Sequence, residues 1–102
     1  MDHKIAGLLG IARRAGRLTL GFDAVKGMMA ARKAKLVWLA ADIWPKTEKE
    51  LRFANQTAGG SVPFIKLDDD KETCAKAVGS PKPVATMSLD DQGFDKAIIK
   101  RL

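Results

Sequence analysis

The segment Gly21-Phe22-Asp23-Ala24-Val25-Lys26-Gly27 carries the residue types with most chemistry to offer. A short extended piece gives way here to helical spacing, with Phe22, Val25, Met28 and Met29 on one face. A glycine at such a turn lets another backbone come close, and the first helical N–H groups have no partner inside the helix. At the positive end of the helix dipole, those groups suit a phosphate oxygen or an acceptor on a base edge. Lys26 is within reach of the same end. Arg32, Lys33 and Lys35 continue the positive charge, so the surface from Gly21 through Lys35 is the candidate binding surface. Asp23 can accept hydrogen bonds from base amino or imino groups, although an acid in a first turn also stabilises its own helix.

Three further features invite comparison with this one. Gly79-Ser80-Pro81-Lys82-Pro83 reads as a stiff loop at the entrance to a strand, able to hold splayed nucleotides or simply to connect. Trp44, between a strand and a helix, can stack on a base as readily as it can pack, whereas Trp38 falls inside a strand and reads as core. The run Asp68-Asp69-Asp70 raises a metal hypothesis, but such runs mostly cap a following helix, and Asp69 with Glu72 has capping-box spacing.

Catalytic constellations find little to build on. His3 is the sole histidine and lies beside the terminus. Cys74 is the sole cysteine; it sits on the apolar side of a helix, can form no intramolecular disulfide, and points to a reducing compartment. Gly7, Gly10 and Gly16 do not fit the dinucleotide fingerprint, and no Walker-type loop is present. The expectation is a non-enzyme without cofactor or metal. No run approaches the roughly 20 apolar residues of a membrane span. The apolar residues 5–12 are followed, not preceded, by Arg13 and Arg14, unlike a secretory signal, so the expected location is cytoplasmic with no membrane partner.

The charge is one-sided. The 102 residues have a net charge of +6, and residues 1–52 hold eleven Lys and Arg against five Asp and Glu, so the whole surplus lies in the first half. Such a field concentrates polyanions, though a solvated basic face would show the same composition.

The elements that must position these residues follow from alternating periods. Ile5, Leu8, Leu9 and Ala12 define a helix face ended by Gly16, and residues 17–20 form a short strand. After the Phe22 helix, residues 35–41 form a continuous apolar run, a buried strand. Thr47 and Glu50 have capping-box spacing for a third helix, with Leu51, Ala54 and Ala58 on its inner face and Gly59-Gly60 at its end. Residues 62–67 form a strand with Pro63 near its start, Cys74, Ala75 and Val78 mark a fourth helix, and residues 84–89 the last strand. Asp90-Asp91 open a final helix bearing Phe94, Ala97, Ile98 and Leu102. Strands separated by helices predict one domain, a three-layer α/β/α sandwich with a roughly four-stranded mixed sheet.

The block Leu8-Leu9-Gly10-Ile11-Ala12-Arg13-Arg14-Ala15-Gly16-Arg17-Leu18, then Gly21, Ala34-Lys35-Leu36-Val37 and Asp91-Gln92-Gly93-Phe94, resembles the ribosomal protein L7Ae/L30e family of kink-turn RNA binders, in its bacterial ribosomal-protein-like branch. The resemblance covers essentially the whole chain and implies the same sandwich. It also implies recognition of kink-turns, sharply bent RNA elements with tandem sheared G·A pairs and a flipped-out nucleotide. By resemblance, the RNA helix begins at Gly21 and its base-contacting positions fall on Asp23, Ala24 and Gly27. The loop after the second strand contributes Asp42, Ile43 and Pro45, and residues 79–84, through Val84, clasp the flipped nucleotides, with Lys82-Pro83 as the family's basic residue and proline. Ala24 and Gly27 stand where the family usually has a glutamate and a lysine, which removes direct base readout. The expected partner is structured RNA, a kink-turn in ribosomal RNA or a riboswitch, bound by a ribosome-associated monomer. A protein-interaction or ribosome-assembly factor on the same fold is the alternative, and an RNA-substrate module of a larger enzyme is a third.

Overall fold

Helices and strands alternate along residues 3–90, which the computed structural model describes: α1 (His3–Arg14), β1 (Leu18–Leu20), α2 (Phe22–Ala30), β2 (Leu36–Leu39), α3 (Pro45–Thr57), β3 (Phe64–Lys66), α4 (Lys71–Val78) and β4 (Thr86–Leu89). The expected final helix from Asp91 onward and the Asp91-Gln92-Gly93-Phe94 motif lie outside these residues. The four strands form one mixed sheet in the order β1-β4-β2-β3. β4 runs antiparallel to both β1 and β2, while β3 runs parallel to β2 through the α3 crossover.

The two central strands are buried throughout, and their alternation builds two cores. Leu36, Trp38, Met87 and Leu89 face Ile5, Leu9 and Ala12 of α1 and Cys74, Ala75 and Val78 of α4. Val37 and Leu39 face Val25 and Met29 of α2 and Leu51 of α3. This is the expected three-layer α/β/α sandwich with a four-stranded mixed sheet. Period-2 alternation sends neighbouring residues of one strand to opposite faces, so a run that is apolar at every position requires cover on both. The strands are shorter than the apolar runs suggested: Ala40 and Val84 are buried beyond the regular strand bounds, although the Ala40 N–H still donates across to Ala85 O.

Helix starts differ from the expectation in two places. α3 does not begin at a Thr47–Glu50 capping box: Trp44 is its N-cap residue and Pro45 its first residue, where a missing N–H is not needed. α4 is capped by Asp70 rather than Asp69, its carboxylate accepting from the Thr73 N–H at 2.8 Å. All four helices end alike, with paired backbone bonds around a residue of positive φ, which is Gly16, Gly59 and Gly79 after α1, α3 and α4 and Arg32 (φ 60°) after α2.

Candidate nucleic-acid interface

Strand directions decide which loops meet. β1, β2 and β3 end, and β4 begins, at the same edge of the sheet. Backbone bonds stitch that edge together: the Gly21 N–H donates to Thr86 O (3.0 Å), Ala40 N–H to Ala85 O (2.9 Å), Ala41 N–H to Asp69 O (2.8 Å) and Val84 N–H to Lys71 O (2.9 Å). The start of α2, the loop before α3 and the loop before β4, far apart in sequence, therefore share one rim.

Gly21 holds φ 95° and ψ 155°, a conformation essentially reserved for glycine, and contributes no side-chain cap to α2. The turn thus leaves the amino end of α2 open beside exposed Asp23 and Ala24. Val25 is buried, whereas Lys26 and Gly27 face outward, and the Lys26 Nζ lies 5.6 Å from the centre of the half-buried Phe22 ring. The rest of the expected surface is displaced. Arg32 and Lys33 are exposed at the far end of α2, and the Lys35 N–H donates to Leu89 O at the opposite edge of the sheet. Nine helical residues span about 13 Å, so Gly21 and Lys35 do not form one patch.

The loop before α3 divides its tasks. The Asp42 carboxylate accepts from the Lys71 N–H at 2.8 Å, satisfying a first-turn donor of α4. Ile43 is packed in the α2/α3 core, not on the surface. Trp44 is 73% exposed, which leaves its ring available for contact.

The loop of residues 79–84 starts from left-handed Gly79 and is anchored by Arg13, whose Nη1 donates to Val78 O at 2.7 Å. The Ser80 hydroxyl donates to Lys82 O (2.8 Å) and accepts from the Lys82 N–H (3.2 Å), tightening the turn. Pro81, Lys82 and Pro83 are exposed, while Val84 is buried in the α1/α4 core. Of the expected contact residues, Ile43 and Val84 thus serve packing, and Asp42 serves a cap.

Three titratable groups are shifted by their structural surroundings. Burial, with Asp69, Asp70 and Asp42 adding repulsion, pushes the Cys74 thiol up to about 11, away from nucleophile chemistry. The backbone N–H of Thr73 holds the Asp70 carboxyl below its ordinary range. Glu48 is lowered mainly by the Lys66 ammonium at 3.1 Å and also by Arg52 at 3.0 Å. Among the described residues, no group of three or more His, Cys, Asp and Glu side chains comes together to hold a metal ion, and no helix is long and apolar enough to cross a membrane.

Two features escape the sequence. Arg13 reads as a dipole-complementing residue at the end of α1, and nothing local reveals its bond to a carbonyl 65 positions away. Phe53 is 69% exposed on α3; its position off the face of Leu51, Ala54 and Ala58 is the available signal.

Four similarities place this geometry among known proteins. The model of the ribosomal protein L7Ae/L30e/S12e/Gadd45 family matches residues 3–99. The RNA-binding protein YlxQ of Enterococcus faecium is 30% identical over 94 residues, spanning 92% of this chain and 86% of that protein. Among solved structures, a protein of unknown function from Bacillus halodurans superposes with a TM-score of 0.84 at 23% identity, covering 97% of this chain and 96% of its own. The Giardia lamblia 15.5kD RNA binding protein superposes with a TM-score of 0.77 at 18% identity, over 98% and 86% of the two chains. Fold, chain coverage and sequence agree, and the chain belongs to the ribosomal protein L7Ae/L30e/S12e/Gadd45 family.

Proposed function

We propose that this chain is a non-catalytic RNA-binding protein that recognises kink-turn or similarly bent structured RNA, acting as a cytoplasmic monomer associated with the ribosome. The carrying observation is the shared rim: the open amino end of α2 at Gly21, the exposed Trp44 ring and the Lys82 loop lie at one sheet edge, tied by the Gly21–Thr86, Ala40–Ala85 and Val84–Lys71 bonds. Backbone N–H groups and cations address phosphates, an aromatic ring addresses an unstacked base, and Asp23 is the one side chain on the first turn of α2 that can accept from a base edge. The membership of the family and the name of the Enterococcus relative support the same reading. Shape and phosphate contacts dominate it, so affinity falls steeply with salt.

Gel-shift titration against a kink-turn and a duplex of equal length, at two salt concentrations, tests the proposal. Tighter binding of the kink-turn at both concentrations supports it; equal affinity reduces the interaction to electrostatics and refutes specific recognition. The second reading, a protein-interaction or assembly factor, is favoured by Ala24 and Gly27, which are exposed but carry no group able to read a base. It predicts that charge reversal at Lys26 and Lys82 leaves function intact.

A further inference from the structure

Helices α2 and α3 lie side by side on one face of the sheet, and an open groove of about 760 Å³ runs between them. Its floor is Ala30, Ala54 and Ala58, and Lys26, Arg32, Lys46 and Lys49 stand along it with Glu50 the single acid. Phe53 projects into it at 69% exposure. Neither the folding of the core nor the contacts of the rim account for an exposed aromatic ring among four cations. Of the neighbouring charges on α3, Glu48 pairs with Arg52 and Lys66, and Arg52 lies over the Phe64 ring, so neither is directed to the groove.

We propose that this groove is a second RNA subsite that takes a single-stranded stretch of nucleotides, with a base stacked on Phe53 and phosphates along Lys26, Arg32, Lys46 and Lys49. An aromatic platform within a basic channel is the arrangement that holds single strands without reading sequence, because every base offers a π-face. Charge complementarity selects a polyanion. Position selects RNA over an acidic protein segment: α2 and α3 both start at the rim that carries Gly21 and Trp44, and Lys26 belongs to rim and groove alike. A strand leaving RNA seated on the rim enters the groove at Lys26 and Lys46 and passes Phe53 on its way toward Arg32. The subsite deepens the proposed function and rests on it for the choice of RNA as occupant and for the direction of entry, while the aromatic and basic lining stands on its own.

Fluorescence anisotropy with the full chain tests it against three RNAs: a kink-turn alone, the same kink-turn with a six-nucleotide uridine extension, and the uridine hexamer. The extension is expected to tighten binding roughly ten-fold, and Phe53→Ala to abolish that gain while leaving affinity for the bare kink-turn unchanged. Phe53→Trp keeps the gain, and Lys46→Glu with Lys49→Glu removes it. A 2-aminopurine placed in the extension is quenched by the wild-type chain and not by the Phe53→Ala variant. If the bare kink-turn fails to bind while the hexamer still binds in a Phe53-dependent way, the rim proposal fails and the groove stands. If the extension brings no gain, or Phe53→Ala weakens all three RNAs equally, the groove is not a single-strand subsite.

Discussion

Replacing Gly27 by lysine separates the fold from the recognition chemistry more cleanly than any loss-of-function change. Gly27 lies inside α2, is exposed, and a Cβ built on it meets nothing within 4 Å. Glycine within a helix is less favourable than lysine by about 0.5–0.8 kcal/mol, so Gly27→Lys should raise stability by that amount with no steric cost. On the RNA side, Gly27→Lys introduces an ammonium at an exposed position of α2 that the proposed function turns toward RNA. One well-directed donor against a base edge contributes about 1–3 kcal/mol of discrimination, or roughly 5- to 150-fold in affinity ratio. Gly27→Ala is the control, since it gains the helix term, up to about 1 kcal/mol, and no donor. Urea denaturation measures the first effect. Gel-shift titration against a kink-turn, and against the same RNA with its sheared G·A pairs replaced by Watson–Crick pairs, measures the second. If Gly27→Lys tightens both RNAs equally, it has added only phosphate attraction; if it tightens neither, this face of α2 does not meet RNA and the orientation argued from the rim is wrong.

The remaining expectations are narrower. Gly21→Ala has open space for its methyl group but keeps φ 95° and ψ 155°, so backbone strain alone should cost about 1–3 kcal/mol in denaturation midpoint analysis, and an unchanged midpoint contradicts the strained turn. Arg13→Ala leaves Val78 O without its partner and should cost about 1–2 kcal/mol, with kink-turn affinity falling because residues 79–84 lose their anchor; a full loss of stability with unchanged affinity would separate the anchor from the site. Cys74 should resist thiol reagents at pH 8 in the folded chain and react readily in denaturant, since burial favours its neutral form. Its raised folded pKa has a defined sign in stability: the contribution is complete below about 9 and is lost as pH rises toward about 11, where the unfolded thiol ionises first, so the slope over that window should flatten in Cys74→Ala.

Much of the fold was legible because it rests on short-range periodicity. The spacing of Ile5, Leu9 and Ala12 marks the buried face of α1, and the unbroken run through Leu36, Val37, Trp38 and Leu39 demands cover on both sides of β2. The cap of α3 is ambiguous in sequence because Thr47 and Glu50 compete with Pro45 for the same start, and proline's fixed φ pre-organises a first helical residue. Asp42 could not be recognised as a cap from sequence, since its partner, the Lys71 N–H, belongs to a helix 29 positions away. The site was half legible for the same reason. Glycine at the start of α2 is a local signal, but whether Lys35 joins Gly21 depends on the direction of α2 across the sheet, which places them at opposite edges.

The residues that build the rim and those that would touch RNA are different sets. Gly21, Gly79, Arg13 and Asp42 set backbone geometry, and a change at any of them disturbs the turn or cap that positions a loop. Ala24, Gly27, Trp44 and Lys82 are exposed, so substitution there costs the fold little. The fold therefore leaves the exposed positions of α2 free to vary without loss of architecture. Arg32 breaks this division. It occupies the positive-φ position that glycine fills after the other three helices, a conformation that costs a non-glycine residue about 1–2 kcal/mol. Helix termination alone would be served better by glycine, whereas the groove between α2 and α3 is served by a cation there. On the proposed groove subsite, the positive φ at Arg32 is the cost of placing a cation at the end of the groove that Phe53 and Lys49 also line.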